Sequence, residues 1–133
     1  MDALSGKTAL VTGAASGIGE GMAVKLAETG ANLAICDLQE TIHDVAEKIA
    51  NDTGVTVRAD VVDVRDPDQV FEFVGEVNSH FSGLDIVIAN AGVWRPTDPV
   101  EDSKEKTVAD WDLLVNTNLK GVYLTGRASI PHL

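Results

Sequence analysis

The sequence has little cysteine, little positive charge and no long hydrophobic run. Cys36 is the only cysteine, so the chain has no internal disulfide. Ten Lys and Arg against 21 Asp and Glu give a net charge of −11, which argues against nucleic-acid binding because that binding depends on clustered basic residues. No apolar stretch is long enough to span a membrane, and residues 1–7 lack a signal-peptide pattern. We therefore expect a cytoplasmic protein with no nucleic-acid or membrane partner.

Histidine is equally scarce and scattered. The three histidines show no metal-ligand spacing, so the sequence predicts no metal site. At 133 residues, with 44% apolar residues, the chain is long enough for one domain with a hydrophobic core. We treat residues 1–133 as a single domain.

The most informative feature present is a glycine-rich turn with the pattern G-x-x-x-G-x-G, formed by Gly13, Gly17 and Gly19. An apolar run at 8–11 precedes it, and apolar residues at helical spacing follow, so the turn joins a strand to a helix. Free backbone N–H groups at a helix start favour an anion. Gly13 permits the tight turn, Gly17 lets the backbone approach a pyrophosphate, and Gly19 lets the helix lie close to the strand. No Lys-Ser or Lys-Thr follows, which excludes a P-loop.

An acidic residue stands where a ribose-binding carboxylate is expected. Asp37 ends the apolar run 33–36 and lies 18 residues beyond Gly19. Cys36 falls inside this predicted strand, where we expect it to act as a small apolar core residue.

Strand and helix patterns alternate along the chain. We predict strands at about 8–12, 32–37, 55–60 and 85–89, and helices at about 17–29, from 42 to about 50, and from 67 to 81. A loop is expected to about residue 107, and a last helix from about Ala109 to the end. Continuously apolar strands separated by helices predict an α/β fold, a Rossmann-like doubly wound parallel sheet that stops after about four strands.

Some single residues carry local predictions. Asp66 is expected to cap the third helix, with Pro67 in its first turn and Gln69 completing a capping box. Trp111 is expected in the core. Trp94 has two open interpretations, since it would either line a substrate pocket or cover the sheet edge.

Four motifs in order resemble the classical short-chain dehydrogenases/reductases. The resemblance spans essentially the whole chain. The motifs are Leu4-x-Gly6-Lys7 running on to Gly17-Ile18-Gly19, then Asp63-Val64 with Arg65-Asp66, then Asn90-Ala91-Gly92, and then Asn118-Leu119-Lys120-Gly121.

The resemblance implies a dinucleotide cofactor and a role for each matching residue. The pyrophosphate would be surrounded by Gly13, Ser16, Gly17, Ile18 and Gly19. Asp37, with Leu38 beside it, would bind the adenosine ribose. Asp63 would accept a hydrogen bond from the adenine amino group, and Val64 would pack on the adenine ring. Asn90, Ala91 and Gly92 would form the floor under the other ribose. Asn118 would be the catalytic-site residue that holds a water or a helix kink for a proton relay, or else an amide that caps a local irregularity.

The cofactor is predicted to be NAD rather than NADP. A 2′-phosphate at about 5 Å from the carboxylate of Asp37 would cost roughly 1–3 kcal/mol per pair of unit charges. NADP-preferring relatives supply a basic residue in the glycine turn or after the second strand, where this chain has Ala15, Ser16, Leu38 and Gln39.

The family's catalytic Ser and Tyr-x-x-x-Lys come after the asparagine helix, and this sequence ends at Leu133, 15 residues after Asn118. Tyr123 and Arg127 imitate the Tyr–Lys spacing. We reject that match because an arginine pKa cannot be tuned for the lysine's work, and we expect Tyr123 in the core.

We therefore expect the cofactor-binding N-terminal half of an NAD-dependent alcohol dehydrogenase or ketone reductase. Its substrate would be a small molecule with a carbonyl or secondary alcohol, and whether this chain is active alone stays open. The alternative is a non-catalytic dinucleotide-binding or dimer-modulating module. A methyltransferase is disfavoured by the Asp63-Val64 and Asn90-Ala91-Gly92 motifs. The fourth strand would be an exposed apolar edge, so we also expect a homo-oligomer.

Overall fold

Four parallel strands form one sheet in the order β3-β2-β1-β4. The structure, a computed structural model, describes residues 2–133. Val11 pairs with Ile35 on one side and Ile88 on the other, which sets the register across the centre of the sheet. The strands are β1 (Thr8–Thr12), β2 (Asn32–Asp37), β3 (Val57–Val61) and β4 (Ile86–Ile88). This order is that of a Rossmann-like fold, and it confirms the predicted fold class.

Helices cover both faces of the sheet. They are α1 (Gly17–Glu28), α2 (Ile42–Thr53), α3 (Pro67–Phe81), α4 (Lys104–Val115) and α5 (Gly121–Ser129). A π-helical turn, Asn116–Lys120, joins α4 to α5, and a 3-10 turn, Ile130–His132, follows α5. None of the helices within residues 2–133 is long and apolar enough to cross a membrane.

Alternate residues of the two central strands build two separate cores. Val11 and Ile35 point to the core formed with α1 and α2. Leu10 and Cys36 point to the opposite core, formed with α3 and α5. Successive side chains of a strand face opposite sides of a sheet, so a strand covered on both faces needs apolar residues at every position. This confirms Cys36 as a core residue, and burial raises the pKa of its thiol to about 12.

The largest error in the predicted elements is the start of α4. The helix begins at Lys104, inside the segment predicted as loop. Ser103 caps it, since its side-chain oxygen accepts from the backbone N–H of Lys106 at 3.1 Å. A serine before a run of charged residues is a weak sequence signal, because the first four residues of α4 are polar and leave no apolar periodicity at the start of the helix.

Asp66 caps α3 as predicted, accepting from the backbone N–H groups of Asp68 and Gln69. The reciprocal half of the capping box is absent. The side chain of Gln69 accepts instead from the backbone N–H of Asp63, at 2.9 Å.

The predictions that Trp111 and Tyr123 lie in the core were wrong. Trp111 is 68% exposed and Tyr123 is 63% exposed. Trp111 lies on α4 and Tyr123 on α5, and two further apolar residues of this region, Leu119 in the π-helical turn and Val122 on α5, are also exposed within the described chain. The strand β4 is an edge strand in the described chain, since it pairs with β1 alone. Apolar periodicity identified the helix, but it does not show whether another helix or strand in this part of the chain packs against its apolar residues.

Candidate functional site

The glycine-rich turn joins β1 to α1 at the carboxyl edge of the sheet. Gly13 (φ 68°) and Gly17 (φ 60°) adopt left-handed backbone conformations that favour glycine. Ser16 is the N-cap residue of α1, and its hydroxyl makes no capping hydrogen bond within the described residues. The N-terminus of α1 therefore offers backbone N–H groups, and beside them an exposed hydroxyl, to an anion.

Gly19 lies where α1 approaches β1 most closely. A Cβ atom at this position would clash with the carbonyl oxygen of Gly13 and would lie 2.5 Å from the side-chain nitrogen of Asn90. At Gly13, a Cβ would lie 2.7 Å from the Cα of Ala91. The glycine turn is thus packed against both α1 and the segment after β4, with no room for a side chain at either contact.

Asn90 ties the segment after β4 to the glycine turn. Its side-chain nitrogen donates to the carbonyl oxygens of Thr12 at 3.2 Å and Gly13 at 3.1 Å. The backbone N–H of Ala91 donates to the Thr12 hydroxyl at 3.0 Å. These bonds hold together the ends of β1 and β4, where the strand order reverses and where ligands bind in open parallel sheets.

The carboxylate of Asp37 is oriented by two backbone groups. Its Oδ2 accepts from the N–H of Ala15 in the glycine turn, and its Oδ1 accepts from the N–H of Gln39, both at 3.0 Å. A carboxylate can accept about four hydrogen bonds, so two remain available for a ligand.

Asp63 follows β3 and faces the same edge of the sheet. The guanidinium of Arg65 binds its carboxylate, with Nη2 at 2.6 Å from Oδ2. This hydrogen bonding holds the pKa of the Asp63 carboxyl below its usual range and raises that of Arg65. Asp63 is therefore an ionised acceptor at neutral pH.

Asn118 lies in the π-helical turn and binds the backbone of Val93. Its Oδ1 accepts from the Val93 N–H and its Nδ2 donates to the Val93 carbonyl oxygen, both at 2.8 Å. Both polar ends of the side chain are used in this pairing. The side chain of Asn118 fixes the segment after β4, which Asn90 holds at its other end.

These residues surround one cleft of about 460 Å³ at the carboxyl ends of the strands. All but one of the residues predicted to contact the cofactor line this cleft, and Gly17 is the exception. The lining residues among them are Gly13, Ser16, Ile18, Gly19, Asp37, Leu38, Asp63, Val64, Asn90, Ala91 and Gly92. Asn118 does not line the cleft. Trp94 is 76% exposed and does not line this cleft. Its two interpretations, lining a substrate pocket or covering the sheet edge, stay predictions.

Seven residues that line the cleft were not predicted from the sequence: Gln39, Val62, Arg65, Val93, Arg95, Leu113 and Thr117. The first four are chain neighbours of predicted site residues, so adjacency was the available signal. Leu113 and Thr117 are four residues apart, which is helical spacing. Nothing in the sequence pointed to Arg95.

The residues of the cleft fit a dinucleotide. The glycine turn lacks side chains where phosphates would approach, the Asp37 carboxylate keeps acceptor capacity, and the apolar side chains of Ile18 and Leu38 are largely exposed at the cleft. No grouping of three metal-ligating side chains occurs within residues 2–133.

The sequence profile of the short chain dehydrogenase family matches residues 7–133. The chain belongs to this family. Oxidoreductase UcpA of Escherichia coli K12 is a curated relative, 37% identical over 133 residues, and the match covers 100% of this chain and 49% of UcpA. The short-chain dehydrogenases are oxidoreductases that act on alcohols, which agrees with the family resemblance inferred from the motifs.

Two solved short-chain dehydrogenase structures illustrate the likeness in fold. L-sorbose reductase from Gluconobacter frateurii, complexed with NADPH and L-sorbose, gives a TM-score of 0.86 at 32% identity, covering 99% of this chain and 49% of that one. Alcohol dehydrogenase from the archaeon Thermococcus sibiricus, complexed with 5-hydroxy-NADP, gives 0.87 at 33% identity, covering 96% and 53%. This chain spans about half the length of these relatives.

A glycine pair on α1 tests the close approach at the turn. Gly19→Ala should lower the free energy of unfolding by about 2–3 kcal/mol, because its methyl group meets backbone that cannot move aside. Gly21→Ala, two residues away with no atom within 4 Å of its added Cβ, should raise it by about 0.5–1 kcal/mol through helix propensity. Urea denaturation measures both, and similar effects of the two substitutions would contradict the packing argument.

The tether between Asn118 and Val93 can be tested by hydrogen exchange. Asn118→Ala removes both hydrogen bonds, and the Val93 amide should exchange roughly fivefold faster, as expected for loss of about 1 kcal/mol of protection. Asn116→Ala is the matched control, since its exposed side chain makes no hydrogen bond within the described residues. Unchanged exchange at Val93 in Asn118→Ala would show that the loop is held by other contacts.

Proposed function

We propose that this chain is the cofactor-binding part of an NAD-dependent short-chain oxidoreductase that interconverts an alcohol and a carbonyl compound. The observation that carries the proposal is a cleft at the point where strand order reverses, which brings together residues from the ends of all four strands. When bound there, the nicotinamide ring would supply the hydride acceptor or donor. The chain's own residues bind and orient the dinucleotide.

The pyrophosphate is proposed to lie against the glycine turn. Gly13, Gly17 and Gly19 leave the backbone bare, and Ser16 adds a hydroxyl with no capping bond at the N-terminus of α1. Backbone N–H groups at a helix start bind phosphate without needing a basic side chain, which suits a cleft in an acidic chain.

The adenosine is proposed to lie between the ends of β2 and β3. Asp37 would accept hydrogen bonds from the ribose hydroxyls through the acceptor positions that Ala15 and Gln39 leave open. Asp63 would accept from the adenine amino group, and Val64 would pack on the ring. The other ribose would lie over Asn90, Ala91 and Gly92, next to the switch point of the sheet.

The charge at the adenosine ribose favours NAD. Both oxygens of the Asp37 carboxylate accept hydrogen bonds from backbone N–H groups, so the carboxylate cannot rotate away from a 2′-phosphate. Arg65 is the lining cation on the adenosine side, and its guanidinium is bound to Asp63. The solved relatives complexed with NADPH and 5-hydroxy-NADP show that the family includes NADP binders. The case for NAD here rests on Asp37.

For Asn118 we propose a positioning role in catalysis. Its amide is committed to Val93, so it would hold the segment that carries Asn90 to Gly92 under the nicotinamide end of the cleft. The π-helical turn around it leaves backbone groups outside regular helical hydrogen bonding, where a water of a proton relay would bind.

Replacement of Asp37 tests the cofactor preference. Asp37→Asn keeps the shape of the side chain and removes its charge, so the ratio of NAD to NADP affinity should fall by roughly 5- to 150-fold, corresponding to the roughly 1–3 kcal/mol of repulsion removed per pair of unit charges. Isothermal titration calorimetry with both dinucleotides measures this ratio. Glu47→Gln, an exposed carboxylate on α2 outside the cleft lining, is the charge-matched control. Equal affinities of the unsubstituted protein for NAD and NADP would overturn the preference.

A hydride-transfer assay distinguishes an enzyme from a non-catalytic dinucleotide-binding module. If the protein is an enzyme, we expect it to reduce NAD in the presence of secondary alcohols, and the absorbance of the reduced nicotinamide follows the reaction. The assay uses the protein together with any chain that follows Leu133 in the gene. Binding of NAD without turnover of any alcohol or ketone in that complete protein would favour the module.

A further inference from the structure

The carboxylate of Asp63 is held by a four-bond fork from Arg65. Oδ1 accepts from the backbone N–H of Arg65 at 3.0 Å and from its Nε at 2.9 Å. Oδ2 accepts from Nη2 at 2.6 Å and shares Nε at 3.1 Å. A forked guanidinium fixes both the position and the plane of a carboxylate, which a single point charge cannot do.

The backbone of Asp63 is fixed as well. Its N–H donates to Oε1 of Gln69 at 2.9 Å, and its carbonyl oxygen accepts from the backbone N–H of Asp66 at 3.0 Å. The other end of the Gln69 amide donates to the Asp66 carboxylate at 3.1 Å. Asp63 is therefore held against the N-terminus of α3 on its main-chain side and by Arg65 on its side-chain side.

The neighbouring residue is equally confined. A Cβ at Gly121, the first residue of α5, would lie 2.7 Å from Cγ2 of Val64, so α5 packs directly on this side chain. Residues 63–65 form one preorganised unit that lines the cleft. Preorganisation lowers the entropy lost when a ligand binds.

The remaining acceptor capacity of Asp63 lies on Oδ2. Oδ1 has two donors, which fill its two lone pairs, whereas Oδ2 has one full donor and a share of a second. Any further hydrogen-bond donor from a ligand would therefore bind at Oδ2.

We propose that Arg65 is a positioning residue that presents Oδ2 of Asp63 to the 6-amino group of a purine, so that the cleft selects 6-amino over 6-oxo purine dinucleotides. The inference rests on the proposed function, since it assumes that the adenosine end of a dinucleotide lies at the ends of β2 and β3. A 6-oxo purine places a carbonyl oxygen where the amino group would donate, and two acceptors facing each other lose a hydrogen bond and repel.

A direct role for Arg65 as a ligand for a 2′-phosphate is the competing interpretation. The ion pair disfavours it, because the Asp63 carboxylate compensates the guanidinium charge that would attract a phosphate, although three N–H donors of the guanidinium lie outside the fork. The two roles make opposite predictions for an Arg65 substitution. If Arg65 positions Asp63, its substitution changes the ratio of the affinities for NAD and its hypoxanthine analogue. If Arg65 binds the 2′-phosphate, its substitution lowers the affinity for NADP.

The test compares affinities for NAD, nicotinamide hypoxanthine dinucleotide and NADP by calorimetry at pH 7. The unsubstituted protein should bind NAD roughly tenfold more tightly than the hypoxanthine analogue, the discrimination expected for a hydrogen bond to a charged group. In Arg65→Ala this ratio should fall below about threefold, mainly through weaker NAD binding. Arg65→Lys should give an intermediate ratio, because it keeps the charge without the fork. Arg127→Ala, an exposed arginine on α5 that forms no ion pair within residues 2–133, should leave the ratio unchanged.

The pH profile provides a readout that general destabilisation would not move. Hydrogen bonds from Arg65 lower the pKa of the Asp63 carboxyl, so the unsubstituted protein should keep its selectivity to lower pH than Arg65→Ala, in which that pKa rises toward its ordinary value. The midpoint of the loss of selectivity should therefore move to higher pH in the variant. Circular dichroism at each pH confirms that the protein is folded, and Arg65→Gln replaces Arg65→Ala if the alanine variant unfolds.

Three outcomes would overturn the inference, and they are distinguishable. If Arg65→Ala and Arg65→Gln bind NAD with the original selectivity, Arg65 does not position Asp63 and the proposed function stands. If the affinity for NADP alone falls about tenfold in these variants, Arg65 is a phosphate ligand. If the unsubstituted protein binds none of the three dinucleotides, the proposed function fails and the inference fails with it.

Discussion

The contact between Gly19 and the carbonyl oxygen of Gly13 is the constraint on which the rest of the site depends. It brings the first turn of α1 against the end of β1 at a distance that no side chain would allow. Because Gly19 has no side chain, the amide of Asn90 has room to donate to the carbonyl oxygens of Thr12 and Gly13, and it fixes the segment after β4 beside them. Asn118 then holds the same segment from the opposite side through Val93. These contacts within the chain form the cleft, and no ligand takes part in them.

The cleft holds its negative charges in two different ways. Asp37 is oriented by backbone N–H groups and has no cationic partner within the described residues, so its charge is exposed to whatever binds beside it. Asp63 is paired with Arg65, so its charge is compensated while its geometry is kept. Under the proposed function these arrangements serve different ends. The uncompensated carboxylate discriminates against a second anion, and the compensated one supplies a fixed acceptor in an acidic chain.

Features governed by local rules could be predicted from the sequence with fair success. The central strands β1 and β2 were recognised by their apolar runs because both of their faces are buried, and α3 was located by its Asp66 cap. The start of α4 was missed because its first four residues are polar and leave no apolar periodicity there. Trp111 and Tyr123 were placed in the core because apolar residues at helical spacing indicate a face that packs, but they do not show against what.

The sequence by itself determined the order of strands and helices, the glycine turn and the two acidic residues after β2 and β3, because backbone conformation and apolar periodicity are set by near neighbours in the chain. Only the tertiary structure decided how those residues are used. The fork between Arg65 and Asp63 depends on side-chain rotamers, and the pairing of Asn118 with Val93 joins residues 25 positions apart. The pairing of Asn118 with Val93 depends on where the fold places α4 relative to the end of β4, and residue spacing alone does not encode that placement.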